Sequence, residues 1–413
     1  MATIKAFKGL RPKKGLEDKI ASLPYDVLNS QEARDLAKGN QYSFYHINKP
    51  EIDLDKNINL YDKRVYEKGR DNLKLFQKNE WLMQDKEDYL YIYKQKMGSH
   101  EQYGLVACAS CDDYDNDIIK KHEFTRKDKE DDRTNHVNIT GANAGPVFLT
   151  YKAQKSIDTL INNFIVAKTP TYDFTSEDNI GHTLWRIKDK PLIDDLIAAF
   201  RKVDFLYVAD GHHRAASGSR TRALRKNNNP NHNGTEEYNY FLTALFPDNQ
   251  LQILPYNRAI KNLNGLSQEA FLEKIKDSYN ISKADQKEPI EPHTVCMYLG
   301  GTWYSLCMKE HIISKDDVIA SLDVHILQHT LLSPILGIHD PRTSDKISFI
   351  GGIRGVKELE TLVDSGDYIA AFSMFPVQVN DIIKVADTGK VMPPKSTWFE
   401  PKLRSGLIIH LLD

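Results

Sequence analysis

The feature that most constrains the fold of this chain is an abrupt change of pattern between Phe205 and Leu224. The run Phe205-Leu206-Tyr207-Val208-Ala209 has no polar face and reads as a buried strand. It halts at Asp210-Gly211-His212-His213-Arg214, and Ala215 to Leu224 continues as a plausible helix. Strand, tight turn and helix in direct succession need a close backbone passage, which Gly211 permits. Asp210 has the chemistry of an N-cap, and the free amides of a first helical turn attract anions along the helix dipole. His212, His213 and Arg214 add donors: Arg fits phosphate oxygens bidentately, and His donates to oxygen or moves a proton near neutral pH. Phosphate is the natural ligand of such a turn. A pair of histidines beside an aspartate also occurs in metal sites, and a capped helix with core histidines is the bland alternative.

Any anion site must be local. The 413 residues carry 55 Lys plus Arg against 57 Asp plus Glu, a net charge of −2, so no overall field draws the chain to nucleic acid or membranes. The start, Met1-Ala2-Thr3-Ile4-Lys5-Ala6-Phe7, has no basic segment followed by an apolar stretch, and no apolar run approaches the ~18 residues of a membrane span. A cytoplasmic protein is expected. The four cysteines are too few and scattered for a disulfide framework, and Cys108-Ala109-Ser110-Cys111 lacks the second pair of a zinc site. Cys108 ends the apolar run that begins at Gly104, so a buried strand thiol is expected there.

A chain of this length exceeds one core, and three parts are expected, 1–150, 151–260 and 261–413. Helical patterning covers 57–80, 156–166, 192–202, 267–278 and 318–332. Hairpin pairs are expected at Tyr89–Tyr93 with Gly104–Ala107, and at Thr294–Leu299 with Trp303–Met308. Tyr240–Phe246 and Leu251–Leu254 read as strands around a Pro247-Asp248-Asn249 turn, and 226–234 as a surface loop. Hairpins mixed with helices favour an α+β class with mixed sheets.

Three other fragments are dense in reactive groups. Lys121-His122-Glu123-Phe124-Thr125-Arg126-Lys127, with Asp132-Arg133 close behind, combines a histidine, a carboxylate and a hydroxyl in one charged run. Val391 to Lys402 contains Met392-Pro393-Pro394-Lys395-Ser396-Thr397, where Lys395 and Ser396 could meet phosphate through side chains, since the glycines of a P-loop are missing. Leu23-Pro24-Tyr25-Asp26-Val27 presents a carboxylate suited to take a proton from a hydroxyl. The bland alternatives are, in turn, a solvated charge run, a structural loop and an Asx turn.

In this order the fragments resemble the bacterial and archaeal family catalogued as domain of unknown function 1015. The resemblance rests on Pro24-Tyr25-Asp26-Val27, Gln95, His122-Glu123-Phe124-Thr125 with Asp132-Arg133, Asp210 to Arg214, Pro255-Tyr256-Asn257-Arg258, Met392 to Thr397 and Pro401-Lys402. That family is similar, through its Gly-His-Arg-type turn, to the ParB and sulfiredoxin-like superfamily, some of whose members phosphorylate free L-serine with ATP, ADP or pyrophosphate. The resemblance implies a ParB/sulfiredoxin-like phosphate-binding core and a serine kinase. It implies Asp26, then Glu123, as the base with His122 beside them. Gly211, His212, His213, Arg214, Lys395, Ser396, Lys127 and Arg133 would meet phosphate, and Tyr25, Thr125 and Asp210 the substrate. Mg²⁺ would arrive with the donor, and a homo-oligomer is possible. One departure is that Ala215-Ala216-Ser217 follows the turn where the family commonly has a bulky residue.

The same residues allow two other readings. A ParB-type nucleotide-gated DNA-associated protein would use the basic cluster Arg220, Arg222, Arg225 and Lys226, although the balanced charge makes nucleic acid an unfavoured partner. A metal-dependent hydrolase would use His122, Glu123, His212 and His213 as ligands and base.

Overall fold

A computed structural model describes residues 1–413. The chain divides into two compact units, Met1–Leu251 with Pro401–Asp413, and Gln252–Glu400. This differs from the three parts expected. No boundary falls at 150, because the strand Val147–Tyr151 is internal to one sheet, paired with Leu206–Asp210 on one side and Tyr240–Pro247 on the other. The last thirteen residues return to the first unit, where Ile409 pairs with Leu10 and His410 with Asn143.

The first unit is built on a nine-stranded mixed sheet. Its order is Ile119–Lys120, Leu206–Asp210, Val147–Tyr151, Tyr240–Pro247, His100–Ser110, Leu90–Met97, Gly181–Ile187 and Tyr172–Thr175, with Ile4–Lys5 also paired to His100–Ser110. The expected hairpin is its centre, turning at Gly98-Ser99 with Met97 opposite His100. Most neighbours are antiparallel. The parallel pairs are Leu206–Asp210 with Ile119–Lys120, and Tyr240–Pro247 with Val147–Tyr151. Mixed pairing with helices that are not regular crossovers is the α+β arrangement read from the sequence.

Helices Lys155–Ala167 and Lys190–Phe200 bury Ile157, Ile161, Phe164, Ile193, Leu196 and Phe200 in the same core as strand residues Leu105, Ala107, Leu149 and Val208. Both cysteines of Cys108-Ala109-Ser110-Cys111 are buried and free. Helix Lys127–Thr140 packs against both Lys63–Lys78 and His212–Asn228, so the charged fragment after His122 is drawn toward the glycine turn.

The second unit has a six-stranded antiparallel sheet in the order Tyr279–Lys283, Thr302–Met308, Thr294–Leu299, Ala370–Met374, Tyr256–Ile260 and Ile347–Gly351. The second hairpin is present as read. Leu251–Leu254 is not the partner of Tyr240–Phe246: the strand Gln252–Leu254 pairs with Trp398–Glu400. The expected helix at 318–332 is shorter, Asp323–Leu327 running into a wide turn at Gln328–Leu332. Before it, Asp317 accepts from the amides of Ile319 and Ala320 and caps a single turn, closed by the Ser321 amide on the Asp317 carbonyl at 3.0 Å, that does not run on into the helix.

Candidate functional site

Strand Leu206–Asp210 ends in a bulge: Val208 lies opposite Leu149 and Asp210 opposite Phe148, so Ala209 is the extra residue. A bulge re-aims the residues beyond it. Gly211 then adopts a left-handed conformation, φ 94° and ψ 35°, and helix His212–Asn228 begins at once. The expected N-cap is corrected by this geometry. Gly211 is the capping residue, without any side-chain cap, and Asp210 is the last residue of the strand. The first amide to close the helix is that of Ala215, on the Gly211 carbonyl at 3.0 Å. The amides ahead of it have no carbonyl within the helix to meet, and they carry the positive end of its dipole.

The Asp210 carboxylate turns to Lys402, 3.1 Å from its Nζ, with Arg214 Nη2 at 3.9 Å. Burial would push this carboxyl up, but Lys402 and Arg214 overcome that and hold it well below the usual carboxylate range. It is a permanent anion balancing two cations. Arg214 bends back under the turn, donating from Nη1 to the Pro146 carbonyl, while its Nε is buried without a partner. A Cβ on Gly211 would sit 2.9 Å from the guanidinium carbon. Glycine is therefore required twice, for its positive φ and for the arginine beneath it.

His122 and His212 form a buried pair, 1% and 5% exposed, their rings edge-to-face with centroids 4.5 Å apart. Neither nitrogen of His122 nor Nε2 of His212 makes a hydrogen bond of regular geometry. Burial holds His122 down at about 4, against the opposing pull of the Val208 carbonyl and Asp210, and pushes His212 down as well. Glu123, half exposed, stands 3.7 Å from His212 Nδ1. His213 accepts from the Arg126 amide at Nε2, 3.0 Å, which leaves Nδ1 to carry the proton of the neutral ring.

Neutral buried histidines make stability depend on pH. Unfolding releases His122 to its ordinary value near 6.5, so below that pH the unfolded chain binds a proton that the native chain does not. Its contribution is complete above pH ~6.5 and is lost as pH falls toward 4, by about 3 kcal/mol. Urea midpoints measured from pH 7.5 to 4.5 should fall steadily, with a slope shallower by about one proton in His122→Leu. Equal slopes in the two proteins would contradict a neutral His122.

The Pro-Tyr-Asp fragment reaches the same place. Arg133 lies over the Tyr25 ring, 4.0 Å from guanidinium carbon to centroid, and its Nε donates to Asp132 at 2.9 Å. Tyr66 donates to the other Asp132 oxygen at 3.0 Å. Burial, then Asp26, pushes the Tyr25 phenol up, and Arg133 and Arg214 act on it in the opposite sense. Asp26 is exposed and acts electrostatically on His213, whose ring burial pushes down. Tyr25, Asp26, Glu123, Arg133 and residues 210–214 thus share one neighbourhood.

Other expected residues are engaged elsewhere. Thr125 donates to Glu130, and Lys127 is almost wholly exposed, paired with Asp131 at 3.6 Å. In the second unit Lys395, with a left-handed φ of 58°, extends its Nζ over Tyr256, and its carbonyl accepts from Arg258. Ser396 is buried and donates to the Pro393 carbonyl at 2.6 Å, which makes it a turn-former. Lys402, the cation that holds Asp210, was legible only as the end of the Pro401-Lys402 motif. Gln95 fixes that segment by donating to the Lys402 carbonyl at 2.9 Å.

No three His, Cys, Asp or Glu side chains are grouped to hold a metal ion, so the ligand set of the hydrolase reading does not assemble. Three of the four residues of the basic cluster on helix His212–Asn228 are paired with carboxylates of other segments. Arg220 pairs with Glu130 and Asp131, Arg222 with Asp112 and Asp115, and Arg225 with Asp413.

A bulged strand, a left-handed glycine and an open helix N-terminus beside guanidinium, imidazole and lysine groups define an α+β protein with a glycine turn whose first amides are available to an acceptor. The chain belongs to the family described as "Protein of unknown function (DUF1015)", which it matches over residues 4–325. No curated protein matches it. Among solved structures it is similar to a conserved hypothetical protein from Pyrococcus furiosus, at 13% identity and TM-score 0.35 over 75% of this chain and 95% of that one. It is also similar to C-terminally truncated SbnI from Staphylococcus aureus, at 11% identity and TM-score 0.39 over 74% and 87%. A third similarity is to a free serine kinase in complex with AMP, at 12% identity and TM-score 0.33 over 74% and 91%. No helix is long and apolar enough to cross a membrane.

Proposed function

We propose that this protein is a phosphotransferase that moves a phosphoryl group from ATP, ADP or pyrophosphate to the hydroxyl of free L-serine, giving O-phospho-L-serine. The observation that carries the reading is the open helix N-terminus at Gly211, with a cation-paired Asp210 behind it and the solvent-facing carboxylate of Asp26 near His213. The identity of the acceptor comes from the sequence resemblance.

In this reading the amides after Gly211 and the Nδ1–H of His213 hold the donor phosphates, which positions them and spreads their charge. Asp26 accepts the serine hydroxyl proton as the new O–P bond forms and the bridging P–O bond of the donor breaks. His122 and His212, buried and neutral, support the turn and take no proton near neutral pH. A magnesium ion carried by the donor needs only one or two protein carboxylates and keeps several waters. Half-exposed Glu123 fits that demand, and the ion would supply neutralisation of the donor phosphates.

Incubating the protein with L-serine, Mg²⁺ and each donor in turn, with phosphoserine measured by mass spectrometry, tests the reading. Phosphoserine should accumulate with at least one donor. Its absence with all three would refute the proposal.

A further inference from the structure

Beneath the turn lies a cavity of about 30 Å³ whose walls include Tyr25, Asn48, Arg133, Gly145, Arg214 and Ser405. Two guanidinium groups line it, and no carboxylate of the protein does. The Arg214 Nε is buried without a partner, while Arg133 spends its Nε and Nη2 on Asp132 and lies over the Tyr25 ring. Both guanidinium groups are near enough to act on the Tyr25 hydroxyl electrostatically. The neighbouring Asn48 amide is already given to Ser405, at 3.3 Å.

Buried donors without acceptors are costly, and a planar fork of N–H groups is matched best by a carboxylate or phosphate. A water needs roughly 10–15 Å³, so the cavity holds about two oxygen-sized atoms, which a carboxylate supplies. We propose that the cavity between Tyr25, Arg133 and Arg214 seats the carboxylate of the acceptor, which makes this enzyme selective for a hydroxyl borne on a carboxylic acid. The inference rests on the phosphotransfer reading and deepens it: Arg133 belongs to the acceptor, not to the donor phosphates where sequence placed it. In this assignment the hydroxyl of an acceptor anchored there is presented to Asp26, which follows Tyr25 in the chain and acts electrostatically on it.

Titration calorimetry on the full chain tests the assignment with L-serine, with ethanolamine, which keeps the amine and hydroxyl but lacks the carboxylate, and with inorganic phosphate. The native protein should bind L-serine at least tenfold more tightly than ethanolamine. Arg133→Lys, which replaces the fork by a point charge, should weaken serine binding at least tenfold and pyrophosphate binding much less. Gly145→Ala supplies a second test without touching a charge, because its Cβ falls 2.8 Å from Ser405 Oγ and narrows the cavity. It should weaken serine binding in the same direction. Equal affinity for serine and ethanolamine, no serine binding at all, or undiminished binding in folded Arg133→Lys would overturn the assignment. So would competition by phosphate that Arg133→Lys weakens as strongly as it weakens serine. Arg133-dependent serine binding without phosphoserine formation would remove the phosphotransfer reading alone; equal phosphorylation of ethanolamine would remove the carboxylate assignment alone.

Discussion

Lys402→Met should destabilise the protein by about 2–3 kcal/mol and weaken pyrophosphate binding at least tenfold. Removing one partner of a buried ion pair strands the other charge, at a cost of about 3–5 kcal/mol when both are fully enclosed. Lys402 is 13% exposed and Asp210 29%, so water screens part of the loss and the lower figure applies. The binding effect has a separate origin. With Lys402 gone, the negative charge one residue before Gly211 is balanced only by Arg214 at 3.9 Å, and it repels an anion approaching the same amides. Lys402→Met combined with Asp210→Asn should regain part of both losses, since the neutral amide needs no counter-ion.

Acid behaviour gives the same pair a second signature. Asp210 is depressed in the native state, so its contribution to stability is full above the unfolded value near 4 and is lost as pH falls through its lower native value. Lys402→Met removes one of the groups that depress it. The acid limb of the stability profile should therefore move to higher pH in the variant. Urea midpoints that coincide across pH, or unchanged pyrophosphate affinity, would show that Lys402 does not hold Asp210.

The pair also marks the boundary of what the chain discloses before it folds. Leu206 to Asp210 and the helix after Gly211 were legible because the switch from an apolar strand to a helix is local, and glycine has a local reason to stand between them. The hairpin at Met97 and His100 was legible for the same reason. Lys402 is 192 residues from Asp210, and nothing in the intervening sequence signals that the chain forms a whole second unit and then returns. The pairing of Gln252–Leu254 with Trp398–Glu400 was hidden likewise, since a turn after Phe246 looks the same whether the next strand folds back or leaves for another sheet. Asp210 was misread as a cap because a bulge at Ala209, invisible in composition, advances the strand by one residue. The paired state of Arg220, Arg222 and Arg225 depends on carboxylates from three other segments, which a reading along the helix alone does not see.

Asp26→Asn should lower kcat for serine phosphorylation by about 10²–10⁴, the range that a positioned general base supplies, with little change in thermal stability. The second part reflects its setting: Asp26 is exposed and makes no hydrogen bond or ion pair that folding depends on. The first reflects its neighbours. Its carboxylate acts on Tyr25 and His213, at the junction of the acceptor cavity and the helix N-terminus, where a hydroxyl and a phosphoryl group would meet. Glu123 is the competing base, 3.7 Å from a histidine that burial keeps neutral, and Glu123→Gln should act chiefly on the apparent Mg²⁺ requirement. Steady-state kinetics of both variants over a range of Mg²⁺ separates the two roles. If Glu123→Gln loses kcat at saturating Mg²⁺ while Asp26→Asn retains it, the base is Glu123, and the proton leaves on the His212 side of the turn instead of beside Tyr25.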